Sequence, residues 1–439
     1  MESYRMTTIS EKPKINSTES SPINTQKISL KQRLCEKINS QQFRQKPWRA
    51  LIAYWILGIC NNYGYVVMLS AANDILHQQE ENDGGTQHSE FYNQTDVGNP
   101  DRQCNYISTG AILLADILPS LIIKMFSPFL PFFIHVRLAL CVVLGSSGYL
   151  LVAFSTDQWM SILGVVVTSL CSGLGEVSLL QYSSFYDKDV VSTWSSGTGA
   201  AGVAGALSYA ALHSLGLRNA LLIMLVVPLM MAISFWVILP SPPRFETVPE
   251  IKSGSSSIHG PRLTFKKKLS LIPGLLKYMI PLGLVYLFEY FINQGMFELI
   301  NFEDIFLNKE EQYRWLQVDY QIGVFISRSS VNILHIKRIW LMSVFQLINV
   351  VFFTTEVIFY FTPTFWIILA ITLWEGLLGG AAYVNTFYKI STEVTEEYRQ
   401  FSLGTTGLAD SIGITLAGVF AILAHNGICN LPKPERLSL

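Results

Sequence analysis

The sequence predicts an all-α membrane protein, a bundle of about eleven transmembrane helices in two related halves, and three observations lead there. Half of the 439 residues are hydrophobic, only 14% are charged and the mean hydropathy is positive, more apolar than one soluble core of this length requires. The apolar residues come in runs of roughly 20, the length that crosses a bilayer core. Two consecutive helices late in the chain also repeat the order of residues found in two helices of its first part.

Taken in order, residues 1–48 are polar, rich in Ser, Asn, Gln and Lys, and read as a disordered cytosolic tail. No cleavable leader is expected, because the first apolar run is already long enough to span. Spans are expected at about 50–71, 105–126, 134–154, 159–182, 194–215, 219–240, 274–299, 314–333, 339–361, 364–386 and 400–424. "SPFLPFF" (Ser127–Phe133) could extend either the second span or the third. The first six spans form an amino-terminal bundle, 49–240, and the other five a carboxyl-terminal bundle, 274–424, with a luminal tail over 425–439. Between the bundles, 241–273 reads as a cytosolic linker, rich in Pro, Ser and Gly and then basic.

Basic residues set the orientation. With the amino terminus in the cytosol, 10 Lys/Arg precede Leu51, seven lie in 241–277, and Lys124, Arg137, Lys188, Arg328, Lys337, Arg338, Lys389 and Arg399 fall at cytosolic turns, 25 of 31 in all. The polar loop 72–104 and the carboxyl terminus are then luminal. Asn93, in Asn93-Gln94-Thr95, becomes a glycan acceptor, and Cys104 and Cys429 could meet in a disulfide. The six cysteines show no CxxC or Cys/His ligand spacing, so neither a metal site nor a cofactor is expected. The charge pattern concerns orientation and gives no sign of nucleic-acid binding.

The repeat is carried by "WSSGTGAAGVAGAL" (Trp194–Leu207) and "FSLGTTGLADSIGI" (Phe401–Ile414), which align Ser195 with Ser402, Gly197 with Gly404 and Thr198 with Thr405. One helix earlier, "GLGEVSLLQYSSFY" (Gly173–Tyr186) resembles "GLLGGAAYVNTFY" (Gly376–Tyr388) with one gap. Similar composition of Gly-rich helices is the alternative, but order shared across two consecutive helices favours a repeat. Six helices separate the copies, as a six-plus-six major facilitator arrangement lacking its last helix would require. Gly197, Gly199, Gly202 and Gly404 are expected to let helices approach closely at the interface between halves.

Charged groups at membrane depth usually face a bundle interior or a wet cavity. Glu289 falls near the midplane of the seventh span, with Asn293 on its face of a regular helix and Gln294 and Glu298 on the opposite one. Glu298 has a route to water near the far surface, whereas Glu289 points to a substrate pathway or to a structural bond between helices. Asp116, Glu375 and Asp410 are further midplane candidates, with Glu176 nearer the cytosol. Arg328 in "FISRSSVN" is an anion-binding candidate or a positive-inside anchor. An enzyme is not expected, since HExxH, GxSxG and P-loop patterns are absent and "GLAD" lacks the GxGD of intramembrane aspartyl proteases.

"LLADILPSLIIK", "CSGLGEVSLL", "SSGTGAAG", "EYFINQGMFEL", "QYRW", "SRSS" and "EGLLGGAAYVNTFY" together resemble the battenin family of lysosomal membrane proteins, over about residues 48 to 428. The resemblance implies a major-facilitator-like protein of lysosomes and late endosomes, needed for clearance of glycerophosphodiesters. On that expectation the substrate is a small anionic phosphodiester exported from the lumen by alternating access, with a proton as candidate coupling ion and lipid as surroundings. Arg328 would supply the charge that draws the phosphodiester, and Glu289 would carry a proton or bind glycerol hydroxyls. The alternative is a membrane scaffold whose cytosolic segments recruit trafficking partners. Two features depart from the family: Cys429 is followed by ten residues, so no terminal prenylation box exists, and the central linker lacks the acidic dileucine signal.

Overall fold

The computed structural model describes residues 48–82, 109–212, 215–242, 263–434 and 436. Asn93 and Cys104 lie outside the described residues. The helices are α1 (Trp48–Asn82), α2 (Thr109–Phe126), α3 (Ile134–Ala153), α4 (Gln158–Ser183), α5 (Asp189–Leu212), α6 (Leu217–Ile238), α7 (Phe265–Leu299), α8 (Lys309–Ser329), α9 (Trp340–Phe359), α10 (Phe365–Glu393) and α11 (Glu396–Cys429). Eight of them, α1, α3, α4, α6, α7, α9, α10 and α11, are long and apolar enough to cross a membrane. Gly, Ser and Thr dilute α5, and α8 carries Lys309, Glu311, Arg314, Asp319 and Arg328, so neither reaches that mean hydropathy. These two helices pack on each other and α8 also packs on α10, which removes their polar faces from lipid.

Within the first half, α3 and α2 pack on α4, and α3 also meets α6. Gly58 and Gly197 bring the backbones of α1 and α5 together. Within the second, α8 packs on α10 and α7 on both α9 and α11, where Gly283 and Gly413 make the corresponding close approach. The halves meet where α2 lies on α11 and α5 on α8. Advancing each helix by six places exchanges these two contacts, as expected of related halves that face one another.

Several boundaries differ from the sequence reading for local reasons. Ser127–Phe129 forms a 3₁₀ turn and α3 begins only at Ile134, so "SPFLPFF" extends neither helix; its two prolines limit regular bonding there. The presumed linker ends early, because α7 starts at Phe265 and carries 265–273 as helix. There Phe265 and Phe401 pack against Phe129, and Lys268 Nζ donates to the Pro128 carbonyl at 2.9 Å. At the other end α11 runs on to Cys429, so 425–429 are helical rather than tail. The regular turns of α7 stop at Phe291, and Ile292–Met296 form a π-helical turn followed by a 3₁₀ turn at Phe297–Leu299. Single π-helical turns of this kind are frequent at functional sites.

Candidate functional site

Arg328 stands in the last turn of α8, where unpaired carbonyls favour a cation. Its Nη1 donates to Thr198 Oγ1 of α5 at 2.7 Å and its Nη2 to the Tyr286 hydroxyl of α7 at 2.8 Å. The guanidinium carbon lies 4.2 Å from the Tyr383 ring centroid of α10. Side chains from both halves thus surround one buried cation, whose Nε has no hydrogen-bond partner. No carboxylate pairs with it among the described residues. Hydroxyls and an aromatic face orient the guanidinium without neutralising it, and Glu289 acts on it only through space, which leaves its edge open to an incoming anion.

A second buried cation, Lys124 near the end of α2, is neutralised. Its Nζ lies 2.6 Å from Glu176 Oε2 of α4 and 3.1 and 3.3 Å from the two Asp410 carboxylate oxygens of α11. Asp410 sits just beyond the break of α11 at Gly407, in the first turn of Leu408–Cys429, where free N–H groups favour a carboxylate. The Ser411 hydroxyl adds a bond to Asp410 Oδ1 at 3.1 Å. Tyr383 joins the two cations: its ring lies under Arg328, its hydroxyl donates to Glu176 Oε1 at 2.8 Å, and Trp194 Nε1 of α5 donates to it at 3.3 Å.

The remaining candidates occupy the same core differently. One carboxylate oxygen of Glu289 accepts from the Tyr320 hydroxyl of α8, and the other has no hydrogen bond and abuts Gly379 of α10. Any side chain at Gly379 would collide with that carboxylate. Glu375, one turn earlier on α10, is fully buried with both oxygens unbonded. Asn293 lies in the π-helical turn with both side-chain polar atoms unbonded, while its carbonyl accepts from Gln317 Nε2 at 3.1 Å. Asp116 is buried in α2 with neither oxygen bonded, and no hydrogen bond or ion pair joins it to Arg328.

Three placements correct the sequence reading. Lys124 and Arg137, counted at cytosolic turns, lie within α2 and α3 and are 3% and 7% exposed. Each closes an apolar run, so the linear sequence gives it the look of an anchor, yet carboxylates hold Lys124, and Ser127, Gln181 and loop carbonyls hold Arg137. Glu298 does not reach water: it is 5% exposed and its Oε2 lies 3.7 Å from His425 Nδ1 of α11. The π-helical turn at Ile292–Met296 departs from the regular helix that had set Gln294 and Glu298 on the face opposite Glu289. Finally, Gly197 does not lie between the halves, because it faces the Trp55 backbone of α1. Gly199 and Gly202 do face α8, at Phe325 and Arg328 and at Gln321, and Gly404 faces Gln181 of α4.

Tyr286, Tyr383, Trp194 and Thr198 escaped the sequence reading, since an aromatic or hydroxyl residue in an apolar helix carries no periodic signal of its own. Lys124 was legible only as the partner of Asp410, 286 residues away. Cys429 is disulfide-bonded, whereas Cys60, Cys141 and Cys171 are free.

Comparison with known proteins agrees with this architecture. The model of the CLN3 protein family matches residues 52–260 and 246–431. Battenin of Canis lupus familiaris is 42% identical over 410 residues, covering 88% of this chain and 92% of its own, and Protein BTN1 of Yarrowia lipolytica is 35% identical over 402 residues, covering 86% and 94%. Among solved structures, the human organic anion transporter MFSD10 (TETRAN) superposes with a TM-score of 0.58 at 11% identity, covering 88% of this chain and 96% of that one. A bacterial homologue of the human lysosomal transporter Spinster, inward-facing and occupied, gives 0.50 at 17% identity over 86% and 82%. These two likenesses concern the fold, which is that of major facilitators, and the extent of the sequence match is decisive for ancestry: this multi-pass membrane protein belongs to the CLN3 protein family.

Proposed function

We propose that the chain is a transporter that carries glycerophosphodiesters out of the lysosomal lumen by alternating access between its two helix halves. The observation that carries the reading is Arg328: a buried guanidinium at the meeting of α5, α7, α8 and α10, oriented by hydroxyls, with no carboxylate in salt-bridge contact among the described residues and Glu289 acting on it only through space. A phosphodiester is a singly charged anion with polar ends. It would take Arg328 as its charge partner and tyrosine and threonine hydroxyls as donors. Placing the cation between the halves lets either side reach it by rocking one half against the other. Glu289, Asn293, Glu375 and Asp116 would line the polar path, with Glu289 or Asp410 carrying a coupling proton. In this reading the amino terminus is cytosolic, the carboxyl terminus luminal, Asn93 glycosylated in the lumen, and the compartment lysosomal and late endosomal, as the family resemblance implies.

Purified protein in liposomes is the test. Time-dependent uptake of labelled glycerophosphocholine above that of empty vesicles, abolished by Arg328→Ala, is expected. Uptake equal to empty vesicles would overturn transport and favour a scaffold that recruits trafficking partners.

A further inference from the structure

The geometry points to an ion-pair lock between the halves, in which Lys124 is held by Glu176 of its own half and by Asp410 of the other, and Tyr383 ties that lock to Arg328. The inference rests on the transport reading and adds how the closed state is held. Its parts are not equivalent. The bridge from Lys124 to Glu176 joins α2 to α4 inside the first half, so it survives any rigid movement of the halves. The contacts to Asp410 cross from α2 to α11, one of the two most extensive contacts between the halves. The bond from Tyr383 to Glu176 crosses as well, from α10 to α4.

All four groups are buried, so separating the halves at this level must strip Lys124 from Asp410 and Tyr383 from Glu176. A lone carboxylate and a lone ammonium at that depth would be costly, but Glu176 remains beside Lys124 after the halves part, which halves the problem. Only Asp410 loses its charge partner. That asymmetry makes it the group whose neutralisation, by water or by a proton, would accompany opening.

The level of the lock follows from chain direction. Lys124 is near the end of α2, Glu176 in the final third of α4, and Asp410 about four turns into α11, which runs the other way. The lock therefore lies toward the side that carries the α2–α3, α4–α5 and α10–α11 turns. On that same side Phe129, Phe265 and Phe401 cluster and Lys268 caps the Pro128 carbonyl. These contacts also cross between the halves, so the present conformation is shut there.

Arg328 enters through Tyr383. The phenol can hold both the guanidinium face and the Glu176 carboxylate only while the ring stays in place. An anion that draws Arg328 away from the ring would loosen the hydroxyl end on the lock side. Binding at the site and release of the gate are thus coupled through one side chain.

The experiment reads conformation without relying on transport. Spin labels are attached through cysteines at Asp187, in the α4–α5 turn, and Glu397, in the first turn of α11, both exposed and one in each half, in protein reconstituted into nanodiscs. The label background of the otherwise unmodified chain is measured in parallel. Asp410→Asn is expected to move the population ratio about tenfold or more toward long separations, and Asp410→Glu to leave it close to the starting protein. In a second sample, Lys124→Gln, which removes the charge that Asp410 faces across the interface, should move the ratio in the same direction by a similar factor. A distance distribution unchanged by Asp410→Asn, or by Lys124→Gln, overturns the lock, whatever the uptake assay says of transport.

Discussion

Two buried cations in one core have opposite prospects. Lys124 faces two carboxylates and has little charge left to offer, whereas Arg328 is held by hydroxyls and a ring and keeps its own. Arg328→Lys preserves the charge but loses the planar fork that reaches Thr198 and Tyr286 together. Losing one charged hydrogen bond of about 1.5–3 kcal/mol predicts an apparent affinity for glycerophosphocholine weakened roughly 10- to 100-fold. Expression and the thermal midpoint should change little, and a titration of uptake rate against substrate concentration measures the difference. Tyr383→Phe keeps the ring under Arg328 and removes only the hydroxyl bound to Glu176. It should leave that affinity within about threefold while shifting the Asp187–Glu397 label distances outward. Glu289→Gln retains an acceptor for Tyr320 and removes a charge. If Glu289 carries a proton, uptake by this variant should lose most of its dependence on luminal pH; an unchanged pH profile would make the residue structural.

At the level of elements, the glycines of α5 divide by what faces them. A methyl group on Gly197 would run into the backbone of α1 at Trp55, which cannot move without shifting the helix. Gly197→Ala should therefore destabilise by about 1–3 kcal/mol and lower the midpoint of thermal unfolding in detergent by several degrees. On Gly202 the same methyl would meet the far end of the Gln321 side chain, which can rotate away. Gly202→Ala should stay near the parent midpoint, and equal losses for both would contradict this account. The repeat between α5 and α11 was visible as shared residue order, but the contacts pair differently from the alignment. Gly413, which meets Gly283 of α7, plays the part that Gly197 plays against α1, while the aligned Gly404 faces α4. The interruption of α11 at Gly407 falls inside the aligned segment, between Gly404 and the Gly413 that makes the tight contact.

For the whole molecule, the proposed orientation, argued from the basic residues, puts both the tail before α1 and the segment between α6 and α7 on the cytosolic side. On intact lysosomes, an epitope before Met1 should be digested by added protease and one after Leu439 protected; digestion of the second would reverse the proposed carboxyl terminus. The helical membrane fold, the order of eleven helices, of which eight are long and apolar enough to span, and the burial of Glu289, Asp116, Glu375 and Asp410 were legible in the sequence, because hydropathy acts locally and a charge inside a long apolar run is conspicuous. What the linear chain could not show is which polar groups meet. Lys124 and Arg137 lie at the ends of apolar runs and look like anchors until folding brings carboxylates and loop carbonyls around them. Tyr383 is an ordinary aromatic residue in its helix until Arg328, Glu176 and Trp194 converge on it from three others. Helix formation and insertion depend on each segment's own residues, whereas the pairing of buried charges depends on distances between segments hundreds of residues apart, and only the tertiary structure decides those.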